Sequence, residues 1–113
     1  MHAYTDEELD AHLPVAVEIF SLLADATRVR IVLALRDGEQ SVGVLAEEVG
    51  KSQAAVSQHL AKLRMSRVVS TRQGGNRVFY SLANQHALEL VEVAFNQAEH
   101  AVDAVVRHSD WAR

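Results

Sequence analysis

The chain has 113 residues, 49% apolar and 23% charged, with a formal net charge of −4 and no cysteine. That length bounds a single domain of ordinary soluble composition, in which helices with wide apolar faces often complete their burial in an oligomer. The missing cysteines exclude disulfides, thiolate metal sites and thiol redox sensing, and leave six histidines as borderline metal donors.

There is no apolar run long enough for a membrane span, and the opening MHAYTDEELD is acidic, unlike a signal peptide, so a cytoplasmic protein is expected. Residues 1–12 read as a flexible acidic arm. From Leu13, the spacing of Leu13, Val17, Phe20, Leu22 and Leu23 predicts a first helix. Asp25 and Thr27 open a second, carrying Val29, Ile31, Val32, Leu33 and Leu35 and stopped by Asp37-Gly38. Ser41 begins a third, SVGVLAEEV, ended by Gly50, and Ser52 caps a fourth with Val56, Leu60 and Leu63 on one face.

After Met65 the period changes. Residues 68–72 and 77–82 are rich in β-branched and aromatic side chains, and Gln73-Gly74-Gly75-Asn76 between them predicts a tight hairpin turn. Asn84 then caps a long last helix, expected to fray after Arg107 and leave residues 108–113 as a tail. The expected order is α-α-α-α-β-β-α: a mainly α (α+β) winged helix-turn-helix over residues 13–107.

Charge falls unevenly on this frame. Between Glu48 and Glu89 there is no acid, yet the stretch holds Lys51, Lys62, Arg64, Arg67, Arg72 and Arg77. The other five basic residues face all fifteen acids, so the net −4 is a block of +6 beside a remainder of −10. A solvated basic face would account for an isolated charge run. Coincidence of the block with helix, turn, helix and hairpin favours a polyanion footprint.

In such a fold the second helix of the pair enters the major groove with its N-terminal residues at base edges. Here that helix presents Ser52, Gln53, Ala54, Ala55, Ser57, Gln58 and His59. Glutamine suits two-pronged pairing with adenine, while Lys51 and Lys62 suit phosphates. Arg72 and Arg77, at the shoulders of the hairpin, are placed to reach the backbone or minor groove as a wing. One such module reads few base pairs, so a homodimer through the first and last helices, set on double-stranded operator DNA, is expected. The last helix is apolar over too wide a stripe for one side of a small monomer.

That helix also carries His86, Leu90, Val93, Gln97, His100 and Ala104 at alternating steps of four and three, the spacing of a packing seam. His86 and His100 lie roughly 21 Å apart along one helix at the standard rise, too far to share an ion within one chain. Antiparallel packing about a two-fold near Val93 would bring each His86 to the partner's end of the seam and create two identical inter-subunit sites. Gln97 and Glu99 flank His100, and Asn84 offers an amide oxygen beside His86. Imidazole with oxygen donors suits zinc, nickel or cobalt. The same histidines also suit ordinary polar positions at an interface edge.

These segments, LADATRVRIVLAL, LAEEVGKSQAAVSQHLAKLR and the wing ending RVFYSL, resemble the ArsR/SmtB family of metal-responsive winged-helix repressors over roughly residues 15–107. The resemblance implies a dimer that represses an operator and loses DNA affinity when metal binds. The cysteine pair of the arsenic and lead type is replaced by Ser41 and Gly43, so that site is absent. At the positions of the zinc and cobalt type this chain has Asn84-x-His86 and Gln97-x-x-His100, with two ligand positions turned into amides. The runs AEH at 98–100, RH at 107–108 and SQHLAKLRM are similar to the nickel and cobalt sensors of actinobacteria. That similarity implies His86, Glu99, His100 and His108 as ligands, with nickel or cobalt favoured over zinc, while Ser109 stands where the resemblance offers a further histidine. Met1-His2 resembles the terminal amine and histidine that some nickel sensors recruit. Two other readings stay open: a winged-helix regulator that senses something else or works with a partner protein, and a dimeric metal-binding module without DNA. An enzyme is not expected, since the sequence has no nucleophile–base pair, phosphate-cradling glycine motif or HExxH.

Overall fold

The computed structural model describes residues 3–111, with side chains described for residues 3–105. Its elements run α1 (Asp6–Leu23), α2 (Ala26–Ala34), β1 (Gln40–Ser41), α3 (Val42–Val49), α4 (Gln53–Met65), β2 (Val69–Gly74), β3 (Arg77–Leu82) and α5 (His86–Trp111). The winged helix-turn-helix is present, with one strand more than the expected order. β1, only two residues long, pairs antiparallel with β3, so the sheet order is β1-β3-β2.

The first helix starts seven residues before the point predicted from its apolar spacing. Thr5 and Glu8 form a capping box, in which the Thr5 hydroxyl accepts from the Glu8 N–H and the Glu8 carboxylate accepts from the Thr5 N–H. Asp6, Glu7 and Glu8 add negative charge at the positive end of the helix dipole. Residues assigned to an acidic arm therefore enter α1 at Asp6, and Pro14 lies inside the helix. At the other end α5 continues to Trp111, past the expected fraying point at Arg107.

The other starts follow local chemistry. Asp25, Ser41 and Ser52 cap α2, α3 and α4 by accepting the N–H groups of Arg28, Val44 and Ala55. Gly50 ends α3 at φ 68°, the left-handed conformation that glycine takes without a Cβ penalty. The hairpin register places Gly74 opposite Arg77, so the turn is Gly75-Asn76, with Gly75 at φ 62°.

The core is built where α2, α3 and α4 meet the hairpin. Ile31, Val32, Leu45, Val56, Leu60 and Leu63 are fully buried, and each contributes about 1.5–3 kcal/mol of transfer free energy. Val68 and Val69 close it from the hairpin side, and Ala87, Leu88 and Val91 from the first turns of α5. The remainder of α5 and most of α1 lie outside it, with Leu22 and Leu23 at the end of α1 packed against its edge. α1 has no buried residue and exposes Leu9, Leu13, Val15, Val17 and Phe20. α5 exposes Leu90, Val93, Phe95, Val102 and Val105. The chain measures 58 × 44 × 21 Å, with a radius of gyration of 17.4 Å. A compact domain of about 100 residues would have about 13 Å. Among the described residues no helix is long and apolar enough to cross a membrane.

Candidate nucleic-acid interface and the last-helix histidines

The α3–turn–α4 unit is set by its caps. Gly50 turns the chain, Lys51 donates its N–H back to Ala46, and Ser52 starts α4 with its hydroxyl held by the Ala55 N–H at 3.1 Å. At 100° per residue, Val56, Leu60 and Leu63 fall on one flank and are buried. Ala54, Ser57, Gln58 and Lys62 point away from that flank, Gln53 projects from the first turn, and all are exposed. An open groove of about 830 Å³ runs from the start of α3 and α4 to the hairpin, lined by Gly43, Lys51, Gln53, Asn76 and Arg77 among others. Gln53 at the start of α4, the turn lysine and the tip of the hairpin thus line one groove, bordered on the α3 side by Glu47, while residues 49–88 bring no acid to it.

Two members of the expected set are placed differently. His59 belongs to the buried flank of α4 and is half-buried against α2, where its Nδ1 accepts from Arg28 Nη1 at 3.2 Å. Arginine can only donate, so the ring proton sits on Nε2. Arg28 also donates to the Leu22 carbonyl and lies 3.9 Å from Asp25. The Arg28 N–H at the cap, with the charge of Arg28, holds the Asp25 carboxyl below the usual carboxylate range despite partial desolvation. His59 thus ties α4 to α2 and does not face outward with Gln53 and Ser57. Sequence reasoning missed Arg28 as its partner, because 31 residues separate the two.

Arg72 is exposed but occupied. Its Nε and Nη2 donate to the two carboxylate oxygens of Glu39 at 3.0 and 2.6 Å, and its guanidinium carbon sits 4.9 Å from the centroid of the Phe79 ring. The contact lowers the Glu39 pKa and raises that of Arg72, chiefly through the hydrogen bonds and then through charge. Arg77 makes no ion pair among the described residues.

On α5, every position of the seam from His86 to Ala104 is exposed in the single chain, and so is Glu99. The Asn84 amide oxygen, expected to be available beside His86, accepts the His86 N–H at 2.9 Å and so starts the helix. Among the described residues of one chain, no three His, Cys, Asp or Glu side chains come together to hold a metal ion. The side chain of His108, and Met1 and His2 as a whole, lie outside the described residues.

A capped helix-turn-helix, a hairpin wing and an α4 whose exposed face carries no acid define a winged-helix DNA-binding regulator of transcription. Residues 25–71 match the family of bacterial regulatory proteins of the arsR type. The chain is 52% identical over 99 residues to the HTH-type transcriptional regulator KmtR of Mycobacterium tuberculosis, spanning 88% of this chain and 76% of that protein. The chain belongs to the arsR family. Its fold is similar to that of the transcriptional repressor BigR from Xylella fastidiosa (TM-score 0.71, 31% identity, 82% of this chain and 95% of that one). It is also similar to the homodimeric winged helix-turn-helix DNA-binding domain Mb0332 from Mycobacterium bovis (TM-score 0.73, 25% identity, 88% of this chain and 91% of that one). These relatives are regulators, not enzymes.

Proposed function

We propose that the chain acts in the cytoplasm as a homodimeric repressor of operator DNA, whose affinity is set by nickel or cobalt, with zinc as the third candidate. The exposed outer face of α4 carries this reading, because it sets Gln53, Ser57 and Gln58 beside Lys51, Lys62 and Arg77, with Glu47 of α3 the acid that borders the groove. Gln53, Ser57 and Gln58 address base edges in the major groove, and Ser52 holds the helix start that carries them. Lys51, Lys62 and Arg77 grip phosphates. A second copy, packed through the exposed apolar faces of α1 and α5, sets two α4 helices one DNA turn apart.

Metal sensing is supported by the open seam of α5. Packed antiparallel on its copy, that seam brings His86 of each chain toward the partner's Glu99 and His100, and His108 lies further along the same helix. Imidazole and carboxylate donors suit a borderline divalent ion, which supplies a fixed coordination geometry when bound. Ligands drawn from both chains then make the spacing of the two α4 helices depend on occupancy, by the difference in affinity between the two dimer geometries.

The test is titration of a labelled fragment of the promoter region with and without nickel, cobalt and zinc. Tight binding that weakens by about 5- to 150-fold with one metal is expected. Equal affinity under all conditions would remove the sensor and leave the DNA binder. A regulator of the same fold without direct metal sensing is the second reading, favoured by Asn84, whose amide oxygen accepts the His86 N–H instead of standing free for an ion. His86→Ala and His100→Ala separate the two readings: they abolish metal binding in a sensor and change nothing in the alternative.

A further inference from the structure

The two arginines of the hairpin differ in a way that their positions in sequence do not suggest. β3 is the middle strand, with Phe79 opposite Ser41 on one side and opposite Arg72 on the other. Glu39 immediately precedes β1 and lies two residues from Ser41, so its side chain shares the face of Phe79 and Arg72. The Arg72 guanidinium lies against the Phe79 ring and meets the Glu39 carboxylate with both prongs, bridging the sheet from one edge to the other. Gly74, two residues along the same face, leaves the room. A Cβ there would stand 2.8 Å from Phe79 Cε2 and 3.2 Å from Arg72 Nη1. Arg72 is therefore fixed three ways: by a two-pronged ion pair, by an aromatic face and by a notch that only glycine provides.

A carboxylate with two oxygens in one plane is also the nearest protein equivalent of a phosphate edge, and a guanidinium binds both in the same fork geometry. We propose that Glu39 occupies Arg72 in place of DNA phosphate, so that Arg77 alone supplies the wing's phosphate grip and Glu39 limits the affinity of the wing for DNA of any sequence. The side chains of Arg72 and Glu39 are 57% and 40% exposed. An exposed pair of this kind is weak by itself. The stacking on Phe79 and the fit against Gly74 retain the guanidinium when phosphate competes for it. Low affinity for arbitrary sequence has a use here, since discrimination is the ratio of operator binding to binding everywhere else.

This inference rests on the DNA-binding reading above, and its test separates the two. Binding of the full-length chain to a labelled mixed-sequence duplex is measured over a series of KCl concentrations, because the slope of log K against log salt counts phosphate contacts at about 0.9 each. Arg72→Gln should leave the slope of the otherwise wild-type chain unchanged. In the Glu39→Gln chain, affinity should rise about two- to fivefold, the range expected when an exposed pair of up to about 1 kcal/mol is removed. Its slope should steepen by about one contact, and adding Arg72→Gln should abolish that gain. Glu39→Asp keeps the charge but shortens the reach, and should give an intermediate slope, which a simple change of net charge would not. Arg77→Gln should lower the slope in every background. Equal slope losses from Arg72→Gln with and without Glu39 would overturn the proposal while leaving DNA binding intact. A chain that binds no duplex at any salt concentration would overturn both.

Discussion

The molecule divides into a region that satisfies itself and a region that does not. From Ser41 to Leu82 the helix starts are capped, Leu45, Val56, Leu60 and Leu63 are sealed in the core, and the outward face is basic. α1 ahead of Leu22 and the length of α5 beyond Val91 are well-formed helices whose large apolar side chains mostly stay in solvent. In the first region burial stabilises one chain. In the second, the same kind of side chain stabilises nothing until another surface covers it. The Mycobacterium bovis domain of similar fold is homodimeric, which fits the proposal of a second copy as that surface.

Substitutions on each side of this divide should behave oppositely. Leu60→Ala, at a fully buried position, should cost about 2–5 kcal/mol in chemical denaturation and remove DNA binding with the fold. A loss under about 1 kcal/mol would mean that the α4 face is not the core. Val93→Asp, at a position 65% exposed in the single chain, should leave helix content intact but raise the dimer dissociation constant at least about tenfold in sedimentation, since two-fold symmetry sets the new charge beside its copy. A variant that stays dimeric at the same dilution would place the interface elsewhere.

A smaller effect tests the boundary between α1 and α2. Asp25 has a depressed carboxyl pKa, so it contributes stability above its unfolded value near 3.8, and this is lost as pH falls through the lower folded value. Asp25→Ala should therefore cost about 1 kcal/mol at neutral pH, as for a lost helix cap, and progressively less below about pH 4. Denaturant midpoints of both proteins across that range would show it. A penalty independent of pH would mean that the side chain acts through shape rather than charge.

Legibility in the sequence followed the range of the interaction. Ser52 with Val56, Leu60 and Leu63, and Gln73-Gly74-Gly75-Asn76 between two β-rich runs, are signals spanning a few residues; the structure repeats the first and tightens the second, taking Gln73 and Gly74 into β2 and leaving Gly75-Asn76 as the turn. The start of α1 was also local, in the capping box of Thr5 and Glu8, but the apolar spacing beginning at Leu13 beside Pro14 hid it. β1 left no trace, because two residues have no periodicity and pair only when β3 is already beside them. His59 and Arg72 carried the residue types expected at a DNA surface. Their neighbours Arg28 and Glu39, 31 and 33 residues away, turned one inward and occupied the other.

By itself, then, the sequence determined the helices, the hairpin, the acid-free basic stretch and the apolar excess of the last helix, since caps, turn residues and side-chain period act within a turn or two of chain. Only the tertiary structure decided which cations remain available to a ligand. Charge belongs to a residue, whereas availability depends on what the fold brings within 3 Å of it.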